Sequence, residues 1–261
     1  MSRFSNLEFG GGEEEQPQQL GAPLEVKDEA YYFAEANASF ARGQFERALR
    51  AFAKTLEENS QNAAAWTGQV RALIELGEFR EAKLWADKAL EKFPNEPELL
   101  AAKGVALGRL GDYENALAYS DASIEERGDT PYIWLARGDV LLAREEGAAE
   151  FCFGKALSMA HREWFWHWLS ARIHYFHQKF SVAIKYIQQA LALDATQSVI
   201  WLQLGLCQQS LGMVSLAGTS FEQARQLDPS NLDAERAMRA MVNEDSLWSR
   251  FRGKMRKLLE E

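Results

Sequence analysis

Residues 201–229 read "WLQLGLCQQSLGMVSLAGTSFEQARQLDP". A bulky ring, Trp201, opens the stretch, and the small residues Gly205, Ala217 and Ala224 recur through it. Gly212 stands midway, where a left-handed residue ends one helix and turns the chain into the next. Pro229 closes the stretch, because proline cannot donate the hydrogen bond that would extend a helix. The pattern predicts two antiparallel helices, with small side chains where the backbones approach.

Moving outward from this stretch, the same marks recur. Ala48, Ala82, Ala116, Ala149, Ala183 and Ala217 are separated by 34, 34, 33, 34 and 34 residues. Seven residues after each comes another small side chain: Thr55, Ala89, Ser123, Ala156, Ala190 and Ala224. A larger residue recurs upstream at Tyr32, Trp66, Leu100, Trp134, His167 and Trp201. Three ladders in step define an internal repeat, and that period decides the fold. The one missing residue falls in "LLAREEGAAEF", in the turn of the fourth unit. Gly43, Gly77, Gly111 and Gly212 sit at mid-unit, and Pro94, Pro97, Pro131 and Pro229 at unit boundaries.

This pattern resembles the tetratricopeptide repeat family. The family order is a Trp, Leu-Gly, a Tyr-like residue, Ala, an aromatic, Ala and Pro; Trp201, Leu204, Gly205, Ala217, Phe221, Ala224 and Pro229 match it. Gly104 and Gly138 match the close-contact glycine, while Ala36, Val70 and Ala171 replace it, so the bulkier Val70 should splay its helix pair slightly. Six units follow: 29–62, 63–96, 97–130, 131–163, 164–197 and 198–231. The resemblance implies an all-α, right-handed superhelical solenoid with a concave surface lined by the first helix of each unit. A capping helix in "LDAERAMRAMV" and a terminal amphipathic basic helix complete the expected region 232–261.

The flanks carry opposite charge. Residues 1–28 hold two basic and six acidic side chains among Gly, Gln and Pro, a composition of a disordered acidic tail. Residues 246–261 carry five basic and two acidic side chains, and Leu247, Trp248, Phe251, Met255, Leu258 and Leu259 share one helical stripe. Trp248, Arg250, Phe251, Arg252, Lys254, Arg256 and Lys257 offer a second partner contact, or a weak hold on an anionic membrane surface through 246–259. The whole chain has a net charge of −9, which argues against a general nucleic-acid binder. No apolar leader or span is visible, and Cys152 and Cys207 are far apart without metal-ligand spacing. A soluble, cytoplasmic protein with two buried thiols is expected.

The stretch 164–177, "WFWHWLSARIHYFH", concentrates rings on the first helix of unit five. His167 occupies the Trp ladder and His174 lies seven residues on, so both face the core. His174 and His177 are one turn apart, a spacing a transition metal uses. No fixed carboxylate or cysteine accompanies them in the sequence, so no metal site is assigned.

The family's concave offsets fall on Phe165, Trp168, Arg172, Tyr175 and Phe176 in unit five. In unit four they fall on Tyr132, Leu135, Asp139 and Leu142, and in unit six on Leu202 and Leu206. These residues form an aromatic and aliphatic trough that faces either a partner or another part of the chain. Arg71 and Arg109 stand at the same offsets nearer the N-terminus, suited to a carboxylate of an acidic peptide or to Glu75 and Glu98. The family's clamp for chaperone tails fails here, because Phe33, Gly68, Glu98 and Ala102 replace its polar residues.

No phosphate loop, no HExxH and no nucleophile paired with a base occurs, so no enzyme and no cofactor are expected. The resemblance implies an interaction scaffold that takes a peptide or protein segment in its groove. A second copy of the chain is one such partner. The alternative is a membrane-peripheral assembly factor for a pilus, secretion or envelope machine, tethered by the basic helix.

Overall fold

The computed structural model describes residues 27–241. Six helix pairs follow one another: α1 (Glu29–Ala41) with α2 (Phe45–Glu58), α3 (Ala63–Leu76) with α4 (Phe79–Lys92), and α5 (Pro97–Arg109) with α6 (Tyr113–Arg127). Then come α7 (Pro131–Ala143) with α8 (Ala149–Met159), α9 (Trp164–Phe176) with α10 (Phe180–Leu193), and α11 (Ser198–Ser210) with α12 (Val214–Leu227). Residues 232–241 are helical again, and no strand occurs among the described residues. No described helix is long and apolar enough to cross a membrane. The segment 1–28 lies almost wholly, and the segment 246–259 wholly, outside the described residues, as do the expectations placed on them.

Local chemistry sets the helix ends. Asp28, Asn62, Asp112 and Thr130 accept a backbone N–H two to three residues into the following helix, which satisfies an orphan donor. Pro97 and Pro131 start α5 and α7, where a missing N–H costs nothing. The turn inside each pair contains one left-handed residue. Four units use Gly43, Gly77, Gly111 and Gly212; units four and five use Glu145 and Gln178, both at φ 58°.

The ladders pack as their spacing predicts. Ala48, Ala82, Ala116, Ala149, Ala183 and Ala217 are all buried, and each lies where its helix meets a neighbour. Opposite them, Gly138 accommodates the Phe153 ring and Gly205 the Phe221 ring; a methyl group at either glycine would come within 3.0 Å of ring carbon. In unit two the pairing is reversed: Val70 replaces the glycine, and Ala86 replaces the phenylalanine. The α3–α4 backbones approach less closely than those of the other pairs, in the direction expected from Val70.

Trp66, Trp134 and Trp201 each donate the indole N–H to a carbonyl six residues upstream, at 3.0, 2.8 and 2.8 Å. His167 takes that place in unit five. Its ring bonds to the His161 backbone, also six residues upstream, and to the Gln189 side chain at 3.0 Å. Burial holds its pKa below the ordinary imidazole value, against the two hydrogen bonds that favour the charged form.

Unit four is the irregular one. Helix α8 is the shortest at 11 residues, because the turn before it widens over 144–148. It packs on α9 more sparsely than any other second helix packs on the following unit. Besides its pairing with α10, side-chain contacts on the concave side tie α9 to the earlier units.

Candidate protein-binding surface

The first helices line a bore, and α9 sets its aromatic face into it. Trp168 stacks on Phe45 with ring centroids 6.2 Å apart, Phe165 meets Phe40 at 6.2 Å, and Phe176 meets Phe79 edge-on at 5.5 Å. Arg172 Nε donates to Glu75 across 2.6 Å and lies over the Phe45 ring. Unit five thus reaches across the concave side to units one and two. Unit six approaches as well: a methyl group on Gly43 would sit 3.0 Å from Val199, whose carbonyl accepts the Trp168 indole N–H at 3.1 Å.

Three arginines point into this bore, each beside a carboxylate. Arg109 donates through Nε and Nη2 to Asp139, at 3.1 and 2.7 Å. The other Asp139 oxygen lies 2.7 Å from His177 Nε2. Burial raises the Asp139 pKa, but the Arg109 charge and the His177 hydrogen bond outweigh it, so the carboxyl titrates below its usual range. The Phe176 ring covers the Arg109 guanidinium at 4.2 Å. Arg172 is tied to Glu75. Arg71 is the least tied: its guanidinium lies 3.8 Å from the Tyr132 ring centroid, its nearest carboxylate is Glu98 at 3.6 Å, and its Nε has no partner among the described residues.

These placements correct the sequence reading in three respects. Trp168, Tyr132, Leu135, Asp139 and Leu142 face inward as expected, but they are buried and are not free anchors. Leu135 and Leu142 pack with Leu169 and Ile173 of α9, and Trp168, 1 % exposed, fills the bore against Phe45. Secondly, Arg109 is committed to Asp139, so its fork is already filled. Thirdly, carboxylates do accompany the histidines: His177 has Asp139, and His174 Nε2 faces Glu150 at 3.3 Å while Nδ1 bonds the Ser170 carbonyl at 2.8 Å. Both come from unit four, at separations of 38 and 24 residues from their histidines, which no local spacing reveals. The histidines part company rather than converge, since each has a different set of partners.

The remaining groove residues gather elsewhere. Arg109, Arg172, Tyr175, Phe176 and Leu206 line one open cleft of about 620 Å³ at the turn end of the bore. Leu76, Phe79 and Phe180 complete its apolar wall, and Glu75 lies beneath Arg172. Phe176 remains 40 % exposed there. Leu202 lies in a neighbouring recess with Phe45 and Val199. Phe79 and Phe180 are the first residues of second helices, which the first-helix offsets do not reach. Cys152 and Cys207 are buried and free; burial pushes the Cys207 thiol up to about 12, so it is no nucleophile at neutral pH.

Comparison with known proteins agrees with the geometry. Two models of the tetratricopeptide repeat match residues 39–105 and 97–130. No curated protein sequence matches the chain. Among solved structures, a tetratricopeptide repeat protein from Parabacteroides merdae superposes with a TM-score of 0.53 at 17 % identity, covering 84 % of this chain and 86 % of that one. A human IFIT1 dimer with m7Gppp-AAAA gives 0.52 at 17 % identity, covering 90 % and 69 %. At such identity the likeness shows the fold alone. The family matches, the 34-residue period and the indole hydrogen bonds that repeat with it lead to one assignment: the chain is built from tetratricopeptide repeats.

Proposed function

We propose that this interaction scaffold receives a segment of a protein partner in the cleft at the turn end of its bore. The observation that carries the reading is convergence. Five residues expected to face the groove, from units three, five and six, meet in one open recess with aromatic walls and a guanidinium at its base. Exposed aromatic side chains beside a shielded polar group are where interfaces concentrate their energy. The bore itself is filled by side chains of α9, so while α9 holds that place the partner segment lies across the mouth. The acidic chain and the pairing of Arg109 and Arg172 with carboxylates favour a protein over a nucleic acid.

The test pairs Tyr175→Ala/Phe176→Ala with the wild type in affinity capture. Phe151→Ser, at a position 68 % exposed on α8, serves as the remote control. Proteins recovered by the wild type and the control should be lost from the double variant, because a hot-spot aromatic contributes about 2 kcal/mol or more. Equal recovery by all three would remove the cleft as the site. Substitution of Trp168 would not serve, since its removal tests packing.

A further inference from the structure

The contacts that close the bore lie on one stripe of one helix. Trp168, Arg172 and Phe176 are spaced i, i+4 and i+8 on α9, about 12 Å from end to end along the axis. They meet Phe45, Glu75 and Phe79 in that order. Phe45 and Phe79 are repeat-equivalent, each the first residue of the second helix in its unit. Two adjacent units therefore present the same aromatic socket twice, with a carboxylate between. The helix fits them by side-chain ends and not by close backbone packing. Arg172 bridges the system, since it pairs with Glu75 while lying over both Phe45 and Trp168.

We propose that α9 is a built-in ligand of the wall made by units one and two. A partner helix bearing an aromatic residue, an arginine four positions on and a second aromatic eight positions on takes its place. The internal helix shows what the wall recognises: two rings for the sockets and one cation for Glu75. It also sets the threshold for a partner, whose apparent affinity falls with the fraction of molecules in which α9 has left the wall. The inference rests on the reading that the concave side receives partners, and it names the kind of partner and the contact that regulates access.

The probe is a labelled peptide of residues 161–180, which carries the stripe, titrated by fluorescence anisotropy against the full-length chain. Arg172→Glu sets two carboxylates against each other and should free the wall, so this variant should bind the peptide at least ten-fold more tightly than the wild type. Adding Glu75→Arg restores an ion pair of opposite sense, and the gain should vanish. A peptide carrying its own Arg172→Glu should fail on every protein. If circular dichroism shows Arg172→Glu unfolded, Arg172→Gln frees the wall without the repulsion and should show a smaller gain. Equal binding by wild type and single variant, or binding by neither, would overturn the proposal. The assay needs no natural partner, so its failure is separable from failure of the cleft in affinity capture.

Discussion

Asp139 accepts from Arg109 on one oxygen and lies against His177 on the other, with the aspartate and arginine side chains 3 % and 6 % exposed. Removing one member of a buried pair strands the other charge in a place where water cannot reach it, at about 3–5 kcal/mol. Asp139→Asn should therefore destabilise the chain by that order, read by urea unfolding at pH 7. Its folded pKa lies below its unfolded value, so the contribution is complete above about pH 4 and fades as pH falls further. The Asn penalty should hold from pH 8 to pH 5 and shrink at pH 3. His167 behaves as a misfit of its ladder. Its folded pKa is depressed by burial, so stability is complete above about 6.5 and declines as pH falls below it. His167→Trp restores the indole of the other units, and the variant should lose less stability than the wild type between pH 7 and pH 5. The positions of both residues were legible from the period. Their partners were not, because a helix-face argument fixes direction and not what stands 38 residues away.

The helix pair is the scale at which the sequence was most legible. Two small-residue ladders of six positions each place the close approaches, and the mid-unit glycines place four of the left-handed turns. Glu145 and Gln178 carry no such signal, yet both adopt a left-handed φ of 58°, in the same region as the glycines at 71° to 89°. A side chain in that region costs about 1–2 kcal/mol, offset in part by the extra unfolded-state freedom of glycine. Gln178→Gly should therefore raise stability by about 0.5–1 kcal/mol in thermal or urea unfolding, and an unchanged or lower value would show the turn relaxed. The reverse experiment is Gly205→Ala, whose added methyl group would stand 2.4 Å from the Phe221 ring. Overpacking of this kind costs about 1–3 kcal/mol, and trimming the ring with Phe221→Leu should recover part of the loss.

An open solenoid is nearly one-dimensional, since each unit feels its neighbours alone and damage decays along the stack. This molecule departs from that rule through side chains. Phe45 and Trp168 stack across the bore, and Arg172 reaches Glu75 from 97 residues away. The departure was hidden from sequence reading for a physical reason: a 34-residue period sets each neighbour-to-neighbour step but not the curvature, and curvature decides which far units meet. The short α8 and its sparse packing on α9 sit where that curvature is set. The rings of 164–177 could be assigned to the concave face but not to an occupant, so a trough for a partner and a plug for the bore read identically. The closed arrangement has its own consequence for local opening. Phe45→Ala removes the surface on which Trp168 stacks, so amide exchange should quicken in α9 as well as in α1 and α2, while α5 and α6, nearer in sequence but without a contact to Phe45, keep their protection. Exchange that quickened in units one and two alone would mean the units act as an ordinary stack, and that the rings crossing the bore touch without coupling its walls.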